Sequence, residues 1–175
     1  MSKNNIILIG FMATGKTAVG QLLAKKLKLQ YIPTDEMIEK NSGMKISKIF
    51  EEEGEEYFRG LETQTLLSLK DSDKSVVSCG GGIVLRQQNI EMLRSLGLVV
   101  WLKASPIAIN SRLGDIKKRP LLNIPDRGAR LDKIEQMLAS RDKLYKKAAH
   151  VTIDTSNRTI DQVVSEITAL IPACR

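Results

Sequence analysis

The chain has 175 residues, 42% of them hydrophobic and 27% charged, which is the make-up of an ordinary folded globule and excludes a disordered or fibrous chain. At this length one core buries about 70% of the surface that the unfolded chain exposes, so residues 1–175 are expected to form a single domain. The net charge of +7 is interleaved with acids and only 4% of the residues are aromatic; this argues against a stacking surface for nucleic acid and suits anionic small molecules and solubility.

Segments rich in β-branched residues alternate with longer helical patterns along the chain, the mark of parallel strands joined by helical crossovers and so of an α/β architecture. The first strand is NIILI (5–9), and a helical pattern over 16–28 follows. Between them GFMATGKT (10–17) matches G-x-x-x-x-G-K-T in the strand–loop–helix setting that a Walker A loop requires. Gly10 leaves the strand and Gly15 lets the backbone curl, so that amides from Ala13, Thr14, Gly15, Lys16, Thr17 and Ala18 turn toward an anion at a helix N-terminus. Lys16 adds a mobile positive charge for the outer phosphates, and Thr17 offers a hydroxyl to Mg²⁺. The loop implies a nucleoside triphosphate but says nothing of the acceptor.

The second strand, LQYI (29–32), runs into PTDEMIE (33–39), where Thr34 is expected to cap a helix over 34–41 and Asp35 stands just past the strand. One helical pattern over 46–70 carries FRGLE (58–62), in which Glu62 lies one turn after Arg59 and is expected to pair with it. The third strand, SVVSC (75–79), ends in Gly80, Gly81 and Gly82. That is the carboxyl end at which open α/β sheets bind ligands, and a backbone without side chains can approach a ring there.

A helical pattern over 87–95 leads to the strand GLVVWL (97–102), and Ser105 with Pro106 opens a helix over 105–113. The stretch GDIKKRPLLNIPDRG (114–128) has glycines near both ends and two prolines, and is expected to form a mobile lid near 114–127. The helical pattern over 129–148 carries SRDKLY (140–145); HVTID (150–154) is the last strand and 159–171 the last helix. His150, the single histidine, leaves no material for a His-based triad or zinc site, and it and Trp101 read as structural.

The Walker loop, PTDEMIE, FRGLE, CGGG, RPLL and SRDKLY, in this order and spacing, resemble shikimate kinase from Ile6 to about Ile167. The resemblance implies a three-layer P-loop fold with a five-stranded parallel sheet flanked by helices, and transfer of the γ-phosphoryl group of ATP to the 3-hydroxyl of shikimate in aromatic amino-acid biosynthesis. It makes Asp35 the group that orients or deprotonates the hydroxyl. It assigns the substrate carboxylate to Arg59 and Arg141, whose forked guanidinium suits a planar anion, within a substrate-binding segment near 34–62 and beside Gly80, Gly81 and Gly82. It sends Arg119 to the transferring phosphates and Arg112 to the adenine.

Two departures stand out. Relatives usually carry Asp-x-Asp where this chain has Pro33, Thr34 and Asp35, so the resemblance implies weaker organisation of Mg²⁺, which takes few direct carboxylates and keeps much of its water. Ala13 stands where many relatives have glycine, at a position the Walker pattern leaves free, and little consequence is expected. Two other readings stay open: a kinase of another small polyol such as gluconate, and an ATP-binding module that has lost catalysis. Cys79 and Cys174 are too few for a disulfide framework or a four-cysteine metal site. The apolar run before Gly10 is too short for a signal-peptide core or a membrane span. A cytoplasmic monomer without nucleic-acid or membrane partners is expected.

Overall fold

A computed structural model describes residues 4–114 and 120–171. The strands β1 (Asn5–Ile9), β2 (Gln30–Pro33), β3 (Ser75–Ser78), β4 (Gly97–Lys103) and β5 (Val151–Asp154) form one sheet in the order β2-β3-β1-β4-β5, and every pairing is parallel. Around it run α1 (Lys16–Leu27), α2 (Thr34–Ser42), α3 (Ile46–Glu52), α4 (Gly54–Ser68), α5 (Gln87–Leu96), α6 (Pro106–Arg112), α7 (Arg127–Ala148) and α8 (Ile160–Leu170).

The central strands carry unbroken apolar runs, Ile6–Ile9 in β1, Val76–Val77 in β3 and Leu98–Leu102 in β4, because helices cover both faces of the sheet. Ile7, Ile9, Val77, Val99 and Trp101 pack with Leu66, Leu93 and Tyr145 on one face. Ile6, Leu8, Val76, Val100 and Ile153 pack with Val19, Leu23, Val164 and Ile167 on the other. Trp101 is therefore core, stacked on Tyr145 at a centroid distance of 5.5 Å. His150 is structural: its Nδ1 accepts from the Val99 amide at 2.9 Å. Among the described residues no helix is long and apolar enough to cross a membrane.

Three expectations need correction. The pattern over 46–70 is two helices, because the chain turns at Gly54 with φ +82°, a conformation that a residue with a Cβ adopts only at a cost. The turn folds α3 back so that Ile49 and Phe58 meet Ile38 of α2. Second, Pro33 occupies the N-cap of α2, and Thr34 is its buried first residue. Its hydroxyl ties strand ends together instead, donating to the Ser78 carbonyl and accepting from the Gly80 amide, both at 3.3 Å. Third, Ala13 is not a neutral replacement: it sits at φ +60°, where an L side chain crowds its own backbone by about 1–2 kcal/mol. Ala13→Gly is expected to raise stability by about 1 kcal/mol, since the relief outweighs the freedom glycine adds to the unfolded chain. A urea midpoint that does not rise would show that the loop dissipates the strain in other ways.

The other helices follow expectation, with Ser105 accepting from the Ala108 amide ahead of Pro106. Within the expected lid, two points are anchored to the rest of the fold. Leu122 is fully buried with Phe11, Ile109 and Ile134, and Arg130 donates to the Ile124 carbonyl at 3.1 Å. Arg119, the rest of 115–119, and Cys174 lie outside the described residues.

Candidate active site

The strand order decides where the motifs meet. With β3 between β2 and β1, the loops after three successive neighbours, bearing Asp35, Gly80–Gly82 and the Walker loop, open on the same carboxyl edge of the sheet. Two cavities share that edge. One, of about 400 Å³, is lined by Gly15, Lys16, Thr17, Ala18, Tyr31, Glu36 and Arg112, among others. The other, of about 610 Å³, is lined by Phe58, Arg59, Glu62, Gly82, Leu121 and Arg141, among others. Met12, Asp35, Gly80 and Gly81 line both, so Asp35 stands at their junction.

The smaller cavity opens on the Walker loop, the expected phosphate cradle. Gly10 has φ +144°, and a Cβ there would fall 2.3 Å from the Leu102 carbonyl oxygen, so the first glycine of the motif is demanded by β4 as well as by the turn. Gly15 caps α1 at φ +95°. Thr14 is buried, its hydroxyl donating to the Phe11 carbonyl at 2.8 Å. The Lys16 ammonium donates to the Gly10 and Phe11 carbonyls at 2.9 and 2.7 Å. Arg112 donates to the Thr155 and Ser156 carbonyls at 2.6 and 2.8 Å, and the Thr155 hydroxyl reaches the Thr14 carbonyl at 3.1 Å. The loop after β5 thus braces Arg112 and the cradle together. Sequence reasoning missed Thr155, whose contact spans 141 positions.

In the larger cavity Arg59 is 5% exposed and Arg141 is 7% exposed. Burial of two guanidinium groups needs compensation. Arg59 pairs with Glu62 at 2.6 Å, as expected, and also with Glu55 at 2.8 Å; its guanidinium lies 5.2 Å from the Phe58 ring and 5.9 Å from that of Phe50. Arg141 stands over the Phe11 ring at 5.7 Å and points Nη1 at the Gly81 carbonyl, 3.5 Å away. The Tyr145 hydroxyl donates to the same carbonyl. Tyr145 is wholly buried, and its role in holding the glycine loop was not legible in the sequence.

Gly80 and Gly82 leave room for side chains of other elements, while Gly81 faces the backbone of the Walker loop. A Cβ on Gly80 would lie 2.6 Å from Asp35 Oδ1 and 2.9 Å from Glu62 Oε1, and one on Gly82 would lie 2.1 Å from Arg59 Nη1. Glu62 is 1% exposed and its Oε1 has no hydrogen-bond partner. Burial raises its pKa to about 7, against the pull of Arg59. A carboxyl that titrates higher in the folded than in the unfolded state contributes stability that is full below about 4.5 and is lost as pH rises through about 7. Relative to Glu62→Gln, the native chain is therefore expected to lose about 3 kcal/mol between pH 4.5 and 8. Urea unfolding of both proteins across that range measures it, and a pH-independent difference counts against the shift.

A divalent cation fits the smaller cavity by the chemistry of its donors. Thr17, Tyr31, Asp35, Glu36 and Ser78 are among the residues that line it, and they carry hydroxyls and carboxylates, hard oxygen donors of the kind Mg²⁺ takes. Among the described residues no three His, Cys, Asp or Glu side chains cluster closely enough to hold a metal by themselves. A cation there would rely on nucleotide phosphates and water for its remaining ligands.

Residues 12–172 match the family model described as "Shikimate kinase". The chain is 42% identical over 165 residues to a shikimate kinase of Dehalococcoides mccartyi, covering 94% of this chain and 92% of the relative. Among solved structures it is similar to a shikimate kinase from Acinetobacter baumannii in complex with shikimate, at 36% identity and a TM-score of 0.92, covering 98% and 94% of the two chains. It is also similar to one from Aquifex aeolicus, at 34% identity and a TM-score of 0.82, covering 97% and 96%.

Proposed function

The chain belongs to the shikimate kinase family, and from that premise we infer that it transfers the γ-phosphoryl group of ATP to the 3-hydroxyl of shikimate, giving shikimate 3-phosphate and ADP. The observation that carries this reading is the pair of cavities joined at Asp35. A phosphoryl donor and an alcohol acceptor have to meet in line across one point, and catalysis of this transfer is mainly positioning and electrostatic stabilisation.

Each residue then has a physical task. Walker-loop amides and Lys16 hold the phosphates and draw charge toward the outer oxygens. Asp35 accepts the hydrogen bond of the acceptor hydroxyl, orients it and takes its proton. Arg59 and Arg141, both buried against the glycine loop, suit the carboxylate of the acceptor. Gly80, Gly81 and Gly82 let the ring lie close to main chain. Arg112, braced on the loop after β5, forms a wall for the base. A phosphate contact for Arg119, in a lid near 114–127, rests on the resemblance alone. Mg²⁺, when bound with ATP, neutralises phosphate charge; Thr17 is the side chain best placed to touch it. A cytoplasmic monomer completes the reading.

ADP release with ATP and Mg²⁺, measured in the presence of shikimate, of gluconate or of no acceptor, tests the assignment. Release that depends on shikimate is expected. Release with gluconate alone would move the acceptor to another polyol, and ATP binding without acceptor-dependent release would leave a nucleotide-binding module.

A further inference from the structure

The ring of Tyr31 lies against α1 at Gly20, where a Cβ would fall 2.7 Å from its Cε2 and 3.4 Å from its Cδ2. Any larger residue at position 20 would push the ring away, so the helix is cut to admit a tyrosine at this place in β2. The ring lines the nucleotide cavity together with Thr17, Ser78 and Glu36. Its hydroxyl oxygen is buried yet makes no hydrogen bond of proper length and angle. Burial raises the pKa of this hydroxyl, weak hydrogen bonds to Ser78 and Thr17 pull it back, and the charges of Glu36 and Asp35 raise it further.

A buried phenol whose polar neighbours, here the Ser78 and Thr17 hydroxyls, fall outside good hydrogen-bonding geometry is under-satisfied, at a cost of up to about 1–3 kcal/mol. That cost is removed when a ligand or an ordered water arrives to accept its proton or donate to its oxygen. What arrives is constrained by the neighbours. Thr17 is the residue whose hydroxyl faces the cation of a Walker site. Pro33, which lines the same cavity two residues after Tyr31, has no side-chain donor or acceptor. Glu36, exposed in the first turn of α2, supplies negative charge on that wall.

We propose that the Tyr31 hydroxyl and the Glu36 carboxylate are positioning residues for the hydrated divalent cation that accompanies the nucleotide, each hydrogen-bonding water around the ion rather than the ion itself. The proposal rests on the kinase reading and deepens it. A cation that keeps several waters is held through groups that order those waters, and this chain places them at the end of β2 and in the next helical turn. Tyr31 acts through water on the ion and does not touch the reacting atoms.

The test is calorimetric titration of ADP into the native protein, Tyr31→Phe and Glu36→Gln, each with Mg²⁺ and with the metal chelated. Mg²⁺ is expected to tighten ADP binding to the native chain, and each substitution is expected to reduce that tightening about three- to tenfold. Metal-free ADP affinity should stay within about twofold of native. Adding Pro33→Asp to Tyr31→Phe is expected to restore much of the loss by offering a carboxylate on the same wall. Two results would overturn the proposal: an undiminished Mg²⁺ effect in either single variant, or an equal weakening of ADP with and without metal, which would make the hydroxyl a direct nucleotide contact or a packing group. Failure of the kinase reading is seen separately, as the absence of shikimate-dependent ADP release by the native protein.

Discussion

Asp35→Asn is expected to lower kcat by about 100- to 10,000-fold, the range that a positioned general base supplies. The side chain follows β2 directly, lines both cavities, and lies so close to the glycine loop that a Cβ on Gly80 would meet its Oδ1 at 2.6 Å. Asparagine keeps the size and one accepting oxygen, so shikimate should still bind, but the amide neither takes the proton nor stabilises the hydroxyl as it becomes an attacking oxygen. ATP affinity should hold, because Lys16, Thr17 and the loop amides are untouched. Steady-state ADP release separates the two effects: a large fall in kcat with little change in KM for ATP is the expected pattern. A variant within about tenfold of native kcat would remove Asp35 from proton transfer.

Gly82→Ala is expected to weaken shikimate binding about ten- to hundredfold, the worth of one charge-assisted hydrogen-bonding group. The added methyl would sit 2.1 Å from Arg59 Nη1 and 2.4 Å from its Cζ. The loop cannot retreat cheaply, because Ile83 and Val84 immediately after it are fully buried. The guanidinium is the part that moves, and moving it breaks the pairs with Glu62 and Glu55 and the contacts with Phe50 and Phe58. Glu62, already raised toward neutrality, can take up a proton when its partner leaves, which limits the loss of folding stability. Calorimetry of shikimate binding is the measurement, with Arg59→Met as the comparison. If the two variants lose affinity alike while ADP binding is unchanged, the glycine's function is to house Arg59. Native affinity in Gly82→Ala would take Arg59 out of the acceptor site.

Both predictions depend on residues whose type was legible in the sequence and whose reason was not. FRGLE nominates Arg59, and its spacing to Glu62 is visible as one helical turn. Phe50 reaches the guanidinium only because α3 folds against α4, whereas Glu55 and Phe58 belong to the same helix as Arg59. The triple glycine reads as a closely approached loop; that Gly80 and Gly82 also make room for Asp35, Glu62 and Arg59 is visible only in the structure. Thr34 shows the opposite error. It looks like a helix cap on local grounds, but its hydroxyl is used 44 positions away at Ser78, because the parallel pairing of β2 with β3 brings those strand ends together.

The sequence by itself determined what is local: the alternation of strands and helices, the Walker loop between β1 and α1, and the Ser105 cap. These follow from periodicity, from glycine conformations and from hydrogen bonds that close within a few residues. Only the tertiary structure decided which loops share an edge, that Tyr145 and Thr155 brace loops far from them in sequence, and that Glu62 is buried deeply enough to titrate near neutral pH. Such contacts depend on strand order and on the exclusion of water by helices packed from elsewhere in the chain, and neither leaves a mark in any short stretch of sequence.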